Sequence, residues 1–70
     1  MDVIKVDPEI MHGTPCFTGT RVPIQNLFDC LKADYSVENF LENFPTVTRE
    51  QVDALLDLAS HRLLDLALVR

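Results

Sequence analysis

The dipeptide Val22-Pro23 divides the chain into two regions that cannot share one kind of backbone. Proline has no backbone N–H to donate and holds the residue before it extended, so no helix runs into it from the N-terminal side. Ahead of it, Asp7-Pro8, Gly13-Thr14-Pro15 and Gly19 interrupt the sequence every few residues. The runs between these turn signals are too short for helices, and many of their residues are β-branched. Residues 4–6, 10–12, 16–18 and 20–22 therefore read as short strands or extended pieces. The last two face each other across Gly19 as a tight hairpin.

Beyond Val22 the pattern takes a helical period. Ile24, Leu27, Phe28 and Leu31 recur at i, i+3, i+4 and i+7. That spacing predicts an amphipathic helix with Pro23 at its first position, ending near Ala33. Ser36 suits the N-cap of a second helix, in which Val37, Phe40, Leu41 and Phe44 repeat the spacing until Pro45 stops it. Thr48 and Gln51 form a capping box for a third. Val52, Leu55, Leu56, Ala59, Leu63 and Leu66 then form one long stripe. The expected architecture is mainly α with a small N-terminal β element. Residues 1–22 form a β hairpin element and residues 23–70 a three-helix helix-turn-helix region, homeodomain-like or winged, in a single domain.

Composition narrows the function classes. Six Lys plus Arg stand against eleven Asp plus Glu, a net charge of −5, while 47% of residues are hydrophobic. So apolar a chain is not a disordered acidic tail. No apolar run approaches the roughly 20 residues of a membrane helix, and Met1-Asp2-Val3 carries no basic region ahead of an apolar stretch. The expected place is the cytoplasm, away from membranes. Two cysteines, Cys16 and Cys30, make neither a disulfide framework nor a zinc knuckle.

Catalytic chemistry is thin. His12 and Cys16 have H-x-x-x-C spacing, and Cys30 and His61 lie elsewhere, without the two close pairs that zinc sites normally show. Cys30 falls beside the apolar stripe of the first helix, where an inert thiol is the ordinary outcome. His12 reads as a turn residue and His61 as a surface or interface residue. Gly13 and Gly19 stand singly and form no phosphate-cradling loop. Asp53 and Asp57 read as a solvated acidic face. No catalytic residue, metal, cofactor or small-molecule substrate is expected.

Two stretches resemble a known family. The run Asp7-Pro8-Glu9-Ile10, followed by Gly13-Thr14-Pro15-Cys16-Phe17-Thr18-Gly19-Thr20-Arg21-Val22-Pro23, is similar to the signature of the domain-of-unknown-function 433 family (DUF433). Tyr35-Ser36-Val37-Glu38 and Phe44-Pro45-Thr46-Val47-Thr48 continue the likeness, which covers about residues 4–60. Its members are small bacterial and archaeal proteins that look like VapB-type antitoxins, often encoded beside PIN-like ribonuclease toxins. The resemblance implies a self-associating helix-turn-helix protein with an N-terminal β element and supplies no catalytic residues. Cys16 stands where members more often carry an aliphatic residue, a difference expected to alter packing alone.

Such a protein invites a second reading, as a DNA-binding regulator of its own operon. DNA affinity rests mainly on Lys and Arg neutralising phosphates. Opposite its apolar stripe, however, the third helix carries Glu50, Asp53, Ala54 and Asp57. That makes it a poor reader, with only weak DNA binding expected. The candidate nucleic-acid contacts are Lys5, Thr18, Thr20 and Arg21 in the β element. For Arg21 the expected role is the structural one, an ion pair with one of the many carboxylates that fixes the hairpin against the helices.

The third helix also asks for a partner. Leu63 and Leu66 continue its inner stripe, yet Leu64 and Leu68 project on the side of Asp53 and Asp57, and Leu58 and Val69 lie on a third flank. A helix apolar nearly all round needs cover on several sides, and each aliphatic side chain left wet forgoes roughly 1.5–3 kcal/mol. Leu58, His61, Leu64, Leu68 and Val69 are therefore the expected interface. The cover is a second copy in a homodimer, a groove on a PIN-like toxin, or the chain's own β element.

Overall fold

The computed structural model describes residues 3–68, the side chain of Leu68 excepted. Val69 thus lies outside the described residues, as does the side chain of Leu68. The elements in order are β1 (Ile4–Lys5), β2 (Cys16–Phe17), α1 (Ile24–Lys32), α2 (Val37–Asn43) and α3 (Arg49–Leu68), with a single 3-10 turn at Met11–Gly13. The chain is mainly helical, with a small N-terminal β element.

The β element is built differently from the expected hairpin. β1 and β2 pair antiparallel, Ile4 opposite Phe17 and Lys5 opposite Cys16, across a ten-residue excursion. Residues 10–12 do not join them. Asp7 Oδ1 accepts the Glu9 N–H at 2.9 Å, and the Asp7 carbonyl accepts the Ile10 N–H at 2.9 Å. Met11, His12 and Gly13 then follow with φ of 52°, 56° and 82°. Three left-handed residues in a row coil the chain back on itself, which extended pairing does not allow. The turn around Gly19 does close, with the Phe17 N–H donating to the Val22 carbonyl at 3.0 Å. Its far side is a lone bridge, Cys16 to Pro23, so residues 20–22 form no strand.

That bridge also shifts the start of α1. Pro23 is extended (φ −60°, ψ 139°) and occupies the N-cap, one position before the helix. The Ile24 N–H donates to the Pro15 carbonyl at 3.0 Å, anchoring the helix start to the β element. At the other end, the Tyr35 N–H reaches the Cys30 carbonyl and the Asp34 N–H the Leu31 carbonyl. Asp34 takes φ 66°. These two bonds make a Schellman ending, here with aspartate where glycine is usual.

The later caps match the sequence reading. The Asn39 N–H donates to Ser36 Oγ, and the Ser36 N–H to Asn39 Oδ1. Thr48 and Gln51 exchange the equivalent pair at 3.1 Å each. Satisfying these otherwise orphaned donors fixes where α2 and α3 begin.

One core gathers a residue from each principal element: Phe17 from β2, Leu27 from α1, Phe40 from α2 and Val52 from α3, all fully buried. The Phe40 ring lies 5.9 Å from Phe17 and 4.9 Å from Phe44, tilted in both cases. Such offset pairs add to the burial energy of the rings. Val3, Val47 and Leu55 complete the buried cluster. The radius of gyration is 12.8 Å, against about 11 Å for a compact chain of this length. α3 accounts for the excess: twenty residues extend about 30 Å, farther than the core reaches.

Candidate functional site

Two surfaces carry chemistry, and the first is α3 beyond its packed half. Val52 and Leu55 are buried, and Leu56 and Ala59 are half-buried. From Ser60 to Ala67 every described side chain is exposed. Leu63 is 67% exposed, Leu64 59% and Leu66 65%. Leu63 and Leu66 were expected to continue the core stripe, and they do not. The same period carries them past the end of α1, α2 and the β element, so no wall stands opposite. A helix folding back over its own β element is excluded for these residues by the same exposure. Leu58 and His61 are also exposed.

Earlier on α3, the acidic face is as expected. Glu50, Asp53 and Asp57 are all exposed. Arg49, the cation nearest the start of the helix, is engaged: its Nη2 donates to Glu38 Oε1 at 2.7 Å. A backbone hydrogen bond, followed by the hydrogen bond and charge of Arg49, holds the Glu38 carboxyl below its ordinary value.

The second surface is an open groove of about 550 Å³ beside the β element. Lys5, Asp7, Thr20 and Arg21 border it, with Ile10, Cys16 and Val22 as its apolar lining. Three of the four candidate nucleic-acid contacts thus come together, although only two have free heads. The Thr20 hydroxyl donates to the Phe17 carbonyl at 2.8 Å and accepts the Val22 N–H at 3.1 Å, so it holds the turn. Thr18 does not line the groove, and its carbonyl accepts Gln51 Nε2 at 2.9 Å. Arg21 was expected to find a carboxylate, yet among the described residues neither it nor Lys5 makes an ion pair.

The remaining candidates separate. Cys16 is buried, its thiol donating to the Thr14 carbonyl at 3.3 Å, and packs as a small apolar residue. Cys30 is half-buried beside the core. His12 is exposed in the left-handed turn. Among the described residues, no three His, Cys, Asp or Glu side chains gather where they could hold a metal ion. No described helix is long and apolar enough to cross a membrane. The groove itself was missed in the sequence. Its walls come from β1, the excursion after it, Cys16 of β2, the turn before α1 and Thr46, five segments with no common spacing.

Comparison with known proteins separates the same regions. The model of the family "Protein of unknown function (DUF433)" matches residues 4–59, ending where burial along α3 ends. An uncharacterised protein, y4eO, of Sinorhizobium fredii (strain NBRC 101917 / NGR234) is 35% identical over 51 residues, which is 73% of this chain. The aligned stretch is 23% of y4eO, so the chain spans about a quarter of that relative's length. No solved structure gives a match. With the family pattern extending through the β element, α1, α2 and the packed half of α3, the chain belongs to the DUF433 family of proteins of unknown function.

Proposed function

We propose that the protein is a non-enzymatic, antitoxin-like interaction module that self-associates and binds and neutralises a PIN-like ribonuclease. The observation that carries this reading is the apolar stretch of α3 beyond residue 59, with Leu63, Leu64 and Leu66 each more than half exposed. Leaving three leucines in water forgoes roughly 1.5–3 kcal/mol apiece, which a docked surface recovers. Charge supports the choice of partner. A ribonuclease presents cations to RNA phosphates, and a chain of net charge −5 with Glu50, Asp53 and Asp57 exposed is attracted to such a surface. The cytoplasm, where an RNA-cutting toxin acts, is the corresponding place.

The test is co-purification with a PIN-like ribonuclease encoded beside a gene of this family, followed by an RNA-cleavage assay. Wild type should hold the ribonuclease and suppress cleavage. Leu64→Asp combined with Leu66→Asp should lose both effects and shift the free protein toward a monomer. Unchanged capture and mass would sink the proposal.

A DNA-binding regulator is the second reading, favoured by the convergence of Lys5 and Arg21 on one groove. In that reading the β element grips phosphates, while the helix-turn-helix order of α2 and α3 is architectural. Arg21→Ala should then abolish retardation of operator DNA at low salt, and wild-type binding should fall steeply as salt rises. Absence of any retardation at low salt removes this reading.

A further inference from the structure

The groove beside the β element holds two cations that the fold leaves unanswered. Eleven carboxylates are available in the chain, and Arg49 shows that a cation with one in reach closes on it at 2.7 Å. Lys5 and Arg21 have no such partner among the described residues. The carboxylate that shares the groove, Asp7, is turned to its own loop, accepting the Glu9 N–H. The apolar part of the lining is aliphatic or thiol: Ile10, Cys16 and Val22. The wall at Gly19 is open, with no atom within 4 Å of where a side chain would begin. A volume of about 550 Å³ falls in the range of small-ligand sites.

We propose that this groove is a binding site for a carboxylate borne on a small aliphatic body. Lys5 and Arg21 hold the carboxylate, and the aliphatic part lies over Ile10, Cys16 and Val22. The guanidinium fork of Arg21 matches the two oxygens of a carboxylate. Two cations and Asp7 give the lining a net charge of +1, which a monoanion neutralises, whereas Asp7 opposes a dianionic phosphate. The carboxylate has two sources, a free aliphatic acid or the C-terminus of a peptide ending in an aliphatic residue. The site stands apart from the α3 leucines and does not depend on what covers them.

The experiment is a titration of the full-length, 15N-labelled protein with 4-methylpentanoate, followed through its backbone amide resonances. Saturable shifts are expected at Lys5 and residues 19–22. The neutral analogue 4-methylpentanamide should bind at least about tenfold more weakly, a loss of about 1.4 kcal/mol. Lys5→Gln with Arg21→Gln should abolish the shifts while the rest of the spectrum reports an intact fold. Arg21→Lys, which keeps the charge but loses the fork, should weaken binding. A peptide ending in leucine separates the sources: tighter binding than the free acid assigns a partner's chain terminus, weaker binding a free acid, and either supports the site. Equal binding of acid and amide overturns the proposal. So do shifts that persist in the double variant, shifts produced only by inorganic phosphate or duplex DNA, and the absence of any saturable shift.

Discussion

The two halves of α3 are built from similar residues and meet opposite fates. Residues 49–59 place Val52 and Leu55 in the core, at 0% and 3% exposure. Residues 60–67 leave Leu63, Leu64 and Leu66 mostly in water. The helical period does not change between them. What changes is the opposing surface: Phe17, Leu27 and Phe40 pack in one cluster with Val52 and Leu55, and among the described residues no hydrophobic side chain beyond Leu56 packs against it. Periodicity tells which side chains share a stripe, while cover depends on elements brought in from elsewhere in the chain.

The sharpest way to break the comparison is to truncate one leucine in each half. Leu55→Ala should cost about 2–5 kcal/mol in denaturant unfolding, much of the stability a domain this small has. Leu66→Ala should change the stability of dilute protein by no more than about 0.5 kcal/mol. Comparable losses would mean that the outer half is packed after all. Under the proposed self-association the wild type should melt higher at high protein concentration, and Leu66→Ala should lose that rise.

A smaller effect tests how far the outer half relies on the inner one. Thr48→Ala removes the acceptor of the Gln51 N–H and should cost about 1 kcal/mol by thermal or denaturant melting. Gln51 also ties α3 to the Thr18 carbonyl, so the loss should appear as looser amide protection in both places.

Asp34→Gly should act in the opposite direction. Aspartate at φ 66° gives up backbone freedom that glycine has at no steric cost. The substitution should raise stability by up to about 1 kcal/mol, seen as a later denaturation midpoint with no change in the outer half of α3.

The smallest effect concerns the ion pair between α2 and α3, whose partners are both more than half exposed. Because the folded state lowers the Glu38 pKa, its contribution is complete above the ordinary carboxylate value of 4.5 and fades as pH falls through the lowered one. Glu38→Gln should therefore flatten the acid limb of the melting-temperature profile slightly. That difference should vanish in about 0.5 M salt.

Much of the helical architecture could be read residue by residue. Ser36 as N-cap and Thr48 with Gln51 announce their helices because the bonds involved span three residues. The stripes in α1 and α2 were legible for the same local reason. The β element was less so. Residues 10–12 have the composition of a strand, but consecutive positive φ values at Met11, His12 and Gly13 coil them away. Pairing instead joins Ile4 to Phe17 across thirteen positions. The groove was invisible, because Lys5, Arg21 and Thr46 meet only after the chain folds.

By itself, the order of residues determined where helices start and stop, which side chains share a stripe, and the acidic balance of the surface, since each is set by neighbours along the chain. Tertiary structure alone decided that the α3 stripe is covered only in its first half, that Lys5 and Arg21 face one groove, and that Arg49 rather than Arg21 is paired. Burial and ion pairing depend on distances between segments far apart in the chain, and no local pattern encodes them.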